Sequence, residues 1–173
     1  MLQTSAGEQP VIQSEQPPRH VHTMTPEEVR ARIIELAFDG DEKRFELFCE
    51  ELRKNLPEGT SVAVRGSAVT AQRWEDGAPF DADGKGTSDI DVTLIGEQVM
   101  ACWEADGFYI PALHTKPLCD GEPNFAPQLE PLRQRLQEIA RRPVSFQATN
   151  NWVLYVRDIL LDQPYFMLIE APA

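Results

Sequence analysis

Apolar residues recur at helical spacing in two stretches between Thr25 and Leu56, and beyond them strand-like alternation and helical spacing take turns. Thr25-Pro26-Glu27-Glu28 reads as a helix start, since Thr can cap, Pro suits the first helical position and Glu28 completes a capping box. Val29, Ile33, Leu36 and Ala37 follow as one apolar stripe. Asp39-Gly40-Asp41 breaks it, and Phe45, Phe48, Cys49, Leu52 and Leu56 form a second stripe that stops at Pro57-Glu58-Gly59. SVAVRG, Ser61 to Gly66, is short and β-branched; it predicts a strand running into a helix start and then a long polar loop, AVTAQRWEDGAPFDADGKGTS. Asp89 to Ile95 alternates as a strand, Glu130 to Arg141 carries Leu132, Leu136, Ile139 and Ala140 at helical spacing, and Val144 to Thr149 alternates again. Trp152 to Leu161 predicts a helix and Tyr165 to Glu170 a final strand, while Glu104 to Ala126, rich in turn residues around FYIP, predicts an irregular excursion over one face.

This mixture predicts an α/β (α+β) fold, with helices packed on a sheet, in a single domain over residues 25–173. Residues 1–24 are rich in Gln, Ser, Glu and Pro and read as a flexible N-terminal tail that holds His20 and His22. The two histidines lack carboxylate or Cys neighbours at ligand spacing, so a solvated tail is expected rather than a metal site. Asp and Glu number 28 against 16 Lys and Arg, a formal net charge of -12, which disfavours free nucleic acid as a partner. Apolar runs are far shorter than the roughly 20 residues of a membrane span, and the N-terminus has neither the basic start nor the apolar stretch of a secretory signal, so residence in the cytoplasm is expected. Cys49, Cys102 and Cys119 are odd in number and widely spaced, as reduced structural cysteines would be.

Candidate chemistry concentrates in SDIDVTLIG, Ser88 to Gly96. On a strand, Ile90, Val92 and Leu94 point one way and Asp89, Asp91 and Thr93 the other, so two carboxylates converge. Like charges that close repel unless a cation lies between them, and an oxygen-rich, Cys-free setting favours Mg²⁺ or Mn²⁺. Upstream, VAVRGSAVT ends an apolar strand in Gly66-Ser67, which offers close backbone approach, a hydroxyl and a following helix start suited to phosphate. Arg65, Arg73, Lys85 and Lys116 are the basic residues nearest in sequence to this segment.

The order GSAVT, GAPFD, SDIDV resembles the polymerase-beta-like nucleotidyltransferase superfamily, over roughly Ser61 to Gly96. FYIPALHTKPL and LLDQPYFMLIE are similar to segments of bacterial nucleotidyltransferase-domain proteins. The resemblance implies a mixed, twisted β-sheet flanked by helices, with Gly66 and Ser67 gripping a nucleoside triphosphate and Asp89 and Asp91 as catalytic metal ligands. It further implies transfer of a nucleoside monophosphate to an acceptor hydroxyl, on a small molecule or a protein, with release of pyrophosphate. Two features depart from the family. Ala71 stands where a second glycine is common, and the next strand, VSFQAT, presents Ser145, Gln147 and Thr149 where relatives carry a third acid. Asp120 and Glu170 are the remaining candidates for that acid, and its absence would suit a non-catalytic nucleotide- or protein-binding module on the same fold. SDIDVTL also fits the D-x-D-x-T pattern of haloacid-dehalogenase-type phosphatases, but there the aspartates end an apolar strand, whereas here GKGTS precedes them.

Overall fold

The computed structural model describes residues 18–172. Helix α1 spans Pro26–Phe38 and opens with the expected reciprocal cap: the Thr25 hydroxyl accepts from the Glu28 amide at 3.2 Å and the Glu28 carboxylate accepts from the Thr25 amide at 2.8 Å. Asp39, in the left-handed region at φ 54°, ends it. Helix α2, Glu42–Asn55, restarts at once because Asp41 caps the Arg44 amide. The remaining elements are strand β1 (Ser61–Arg65), a one-turn helix α3 (Ser67–Thr70), β2 (Ile90–Ile95), a second single turn α4 (Glu97–Met100), β3 (Phe108–Ile110), β4 (His114–Thr115), α5 (Glu130–Ala140), β5 (Val144–Thr149), α6 (Trp152–Asp158) and β6 (Tyr165–Ile169).

The strands form one six-stranded mixed sheet in the order β3-β4-β5-β2-β1-β6, in which only β2 and β5 run parallel. The link from β2 to β5 passes through α4, the β3-β4 hairpin and α5, the long crossover that a parallel pair requires. Val62, Val64, Ile90, Val92, Leu94, Val144 and Phe146 face α1, α2 and α5, and with Ile33, Phe48, Leu52 and Leu136 they make the main core. The opposite face carries Arg65, Asp91, Thr93 and Gln147, and there α6 lays the fully buried Tyr155 across the sheet. A sheet buried on one side by aliphatics and on the other by hydrogen-bonded polar groups is the platform for the site.

Three differences from the sequence reading have local causes. The excursion from Glu104 to Ala126 contains the β3-β4 hairpin, whose strands are too short to show alternation but extend the sheet edge next to β5. Helix α6 stops at Asp158 rather than Leu161, because Leu161 and Asp162 adopt left-handed conformations at φ 50° and 59°. Residues 18–24, the described part of the expected tail, lie against α1: Arg19 pairs with Glu28 at 2.8 Å, Arg32 donates to the Arg19 carbonyl at 2.7 Å, and Val21 and Met24 pack on the core. His20 and His22 are exposed there, and the rest of that segment lies outside the described residues.

Ala71 closes α3 at φ 65°. A left-handed L-residue costs roughly 1–2 kcal/mol, partly offset by the extra unfolded-state freedom of glycine. Ala71→Gly should therefore raise unfolding stability by roughly 0.5–1 kcal/mol in a thermal or urea melt; a loss of stability would contradict the strain assigned to Ala71.

Candidate functional site

The hairpin of β1 and β2 sets Arg65 opposite Asp91, and the parallel pairing of β2 with β5 sets Ser145 opposite Asp91 and Gln147 opposite Thr93. Register alone thus fixes an Arg-Asp-Ser row across three strands. Past Arg65 the chain turns at Gly66, with φ 73° and ψ -155°, a region open essentially to glycine only. Close approach adds a second requirement, since a Cβ at this position would lie 2.6 Å from Asp91 Oδ2. Ser67 follows at the start of α3, anchored below by the buried Ala68 and Val69. The first amides of that turn have no intrahelical acceptor, and the Ser67 hydroxyl has no protein partner among the described residues.

Asp89 sits one residue before β2, at the end of the long polar loop, and the loop is built to hold it there. Asp81 accepts from the amides of Gly86 and Ser88, each at 2.9 Å, while its own amide donates to Ser88 Oγ at 2.7 Å. Arg142, its side chain almost wholly buried, donates to Asp81 and to the Ser88 carbonyl at 3.0 Å and reaches the Ala37 and Leu36 carbonyls at the end of α1. Its guanidinium also lies 4.7 Å above the Phe80 ring. The GAPFD segment therefore shapes the loop: burial raises the Asp81 carboxyl, but Arg142 and the two amides outweigh it and hold the carboxyl below its ordinary range. Asp83 is likewise engaged, by Arg73 at 2.7 Å.

The two central carboxylates are treated differently by the protein. Asp91 Oδ1 accepts from Ser145 Oγ at 2.8 Å and lies 3.5 Å from the Arg65 guanidinium, whereas Oδ2 faces Gly66. Arg65 is held in turn by Thr93 Oγ1 at 3.3 Å and by Gln147 Oε1, which also accepts from Tyr155 OH at 2.9 Å; Gln147 Nε2 donates to the Thr115 carbonyl at 3.1 Å. Asp89 has no side-chain partner among the described residues, and burial together with the Asp91 charge pushes its carboxyl up to about 6. Arg65 offsets this only in part, and such a partly buried acid beside a second acid favours a bound cation or a proton.

Gly66, Ser67, Asp89 and Asp91 all line one cavity of about 670 Å³, the four residues singled out from the sequence. Arg65, Arg73 and Gln147 share its walls, as does Asp158 at the end of α6. Trp74 and Tyr109 stand on its walls 63% and 58% exposed, unlike Trp103 in the core, so they present free aromatic surface to the cavity. Other basic and acidic candidates are used elsewhere. Lys85 pairs with Asp39 at 3.2 Å, Lys116 donates to the Asp106 carbonyl at 2.8 Å, and Asp120 binds the buried Arg133 at 2.7 Å. Glu170 is exposed and lies outside the cavity. His114 is buried, with Nδ1 3.0 Å from Thr149 Oγ1, and burial lowers its pKa from the ordinary imidazole value.

Among the described residues no group of three or more His, Cys, Asp and Glu side chains forms a metal cage. A pair of carboxylates is nevertheless a fitting donor set for Mg²⁺, which keeps several waters and is bound through one or two carboxylates plus substrate phosphates. The Arg65–Gln147–Tyr155 network and the cavity position of Asp158 were not visible in the sequence reading, although the Arg65–Asp91 pairing follows once β1 and β2 are joined as a hairpin. Among the described residues no helix is long and apolar enough to cross a membrane. Comparison with protein-family models, with curated proteins and with solved structures finds no match for the chain.

Proposed function

We propose that the chain is a metal-dependent nucleotidyltransferase, moving a nucleoside monophosphate from a nucleoside triphosphate to an acceptor hydroxyl. The observation that carries this reading is the convergence of Gly66, Ser67, Asp89 and Asp91 on one cavity, with Asp89 forming no ion pair among the described residues and pushed up by burial and by Asp91. Gly66 lets the backbone approach a triphosphate, and Ser67 offers its hydroxyl to a phosphate oxygen. Asp89 and the Oδ2 side of Asp91 are the groups that would hold Mg²⁺ or Mn²⁺. When bound, that ion supplies positive charge to the phosphates and aligns the acceptor with the α-phosphorus. Ser145 and Arg65 fix the Asp91 carboxylate, so its orientation is set before substrate arrives. The acceptor oxygen forms a bond to the α-phosphorus, the bond to the bridging oxygen breaks, pyrophosphate leaves and the hydroxyl proton passes to solvent. Trp74 and Tyr109 give the base or the acceptor a stacking surface.

A second reading is favoured by one feature: the strand position beside Asp91 carries Ser145 rather than an acid, so the neighbouring strand supplies no carboxylate to draw the proton from an acceptor. The same site would then bind a nucleotide without turning it over. Pyrophosphate release with each of the four ribonucleoside triphosphates and Mg²⁺, against hydroxylated metabolites and protein acceptors, separates the two. Transfer should fall by at least about 100-fold in Asp91→Asn with the fold intact. Equal rates in Asp89→Asn, Asp91→Asn and the natural protein would defeat the metal-site assignment, and nucleotide binding without release would favour the binding module.

A further inference from the structure

We propose that Arg65 stands where a second metal ion would, so that the site takes one divalent cation per chain. This rests on the divalent-cation reading of Asp89 and Asp91. A two-metal centre places ions roughly 3.5–4 Å apart and needs carboxylate oxygens free to face both. Here the two oxygens of Asp91 are unequal. Oδ1 is committed to the Ser145 hydroxyl at 2.8 Å and to the Arg65 guanidinium at 3.5 Å, and only Oδ2 remains on the Gly66 side. An arginine cannot surrender its charge at any working pH, so Oδ1 already faces a permanent cation.

That cation is rigidly kept. Its side chain is only 17% exposed, Thr93 and Gln147 hold it from two strands, and Tyr155 holds Gln147 from above. The positions flanking Asp91 across the sheet are Arg65 and Ser145, neither an acid. Among the other acids on the cavity wall, Asp83 is bound by Arg73 at 2.7 Å and Asp158 by Arg157 at 2.6 Å, while Glu75 is exposed and adds its charge on the Asp89 side. On the side where Arg65 lies, Asp91 Oδ1 is therefore already met by a permanent cation, and the charge that a second ion would bring is present without it. Arg65 is a positioning residue: it orients Asp91 and restricts the ion to the Asp89 side.

Counting bound Mn²⁺ by electron paramagnetic resonance tests this. The full chain is titrated alone and with one equivalent of a non-hydrolysable nucleoside triphosphate analogue, after subtraction of the Mn²⁺ held by the analogue itself. One Mn²⁺ per chain, lost in Asp89→Asn, is the expected result. Arg65→Lys should keep the count at one, and Arg65→Gln with the analogue should raise it to two, a change that a merely structural arginine would not produce. Two ions in the natural protein, or one in Arg65→Gln, would overturn the role of Arg65 while leaving the cation site standing. No ion in either condition would remove the cation reading and the inference with it. Should Arg65→Gln fail to fold by circular dichroism, the count in the natural protein decides alone.

Discussion

Gly66→Ala is expected to destabilise the protein by about 2–4 kcal/mol and to abolish any response to divalent cations. Two independent penalties meet at this residue. Its backbone, at φ 73° and ψ -155°, lies where an L side chain is strained by about 1–3 kcal/mol. The added methyl would also come within 2.6 Å of Asp91 Oδ2, and that carboxylate has nowhere to retreat because Ser145 and Arg65 hold its other oxygen. The variant thus displaces the one Asp91 oxygen that faces Gly66, and the cation response should go with it. Urea unfolding gives the stability change, and Mn²⁺ titration of the folded fraction gives the site. A variant as stable as the natural protein and still able to bind Mn²⁺ would show that neither the turn nor the contact is as tight as described.

Asp89→Asn should have the opposite effect on stability, raising it by about 1–2 kcal/mol at pH 7 without divalent cations, or about 2–8 °C in melting temperature. The Asp89 carboxyl is pushed up to about 6 by burial and by Asp91, against an ordinary value of 3.8. A folded-state pKa above the unfolded one means that the folded protein holds its proton longer. The stabilisation due to the protonated carboxyl is fully present below pH 3.8 and is lost as pH rises through about 6. At neutral pH the natural protein therefore carries an ionised acid that its surroundings disfavour, and the amide removes this burden. The advantage of Asp89→Asn should vanish near pH 4, and it should shrink at neutral pH when Mg²⁺ is added, because only the natural protein gains. Melting curves across pH 4–8 read both. An Asn variant that is less stable at pH 7 than at pH 4, relative to the natural protein, would contradict the electrostatics assigned to the site. Stability given up at a ligand site is a common mark of function.

The long elements were legible in the sequence because their signals are cooperative. The capping box at Thr25 and Glu28 and the stripes of α1, α2 and α5 each repeat over several turns, and β1, β2 and β5 alternate or run apolar over five or six residues. Gly66, Ser67, Asp89 and Asp91 were also legible, since a strand that ends in Gly-Ser and a strand that starts Asp-x-Asp need only become neighbours to form a site. What escaped was set by tertiary placement. Ser145, Gln147 and Thr149 read as an open polar face, yet they are buried and satisfied by Asp91, Arg65, Tyr155 and His114, partners between 8 and 82 positions away for which no periodicity gives notice. FDAD lies in a segment that reads as polar loop, and only the arrival of Arg142 from beyond the end of α5 shows Asp81 to be the pin of that loop. The β3-β4 hairpin is too short to carry a pattern of its own.

The most direct test of a metal-dependent nucleotide site is a thermal-shift panel of the four ribonucleoside triphosphates, with and without Mg²⁺, on the natural protein and on Asp91→Asn. A ligand at about 100 times its dissociation constant stabilises by roughly 2.7 kcal/mol, which is well within reach of a melt. A shift with at least one nucleotide that requires Mg²⁺ and disappears in Asp91→Asn is the predicted result. Melting temperatures unmoved by every nucleotide, or moved equally in the variant, would contradict it.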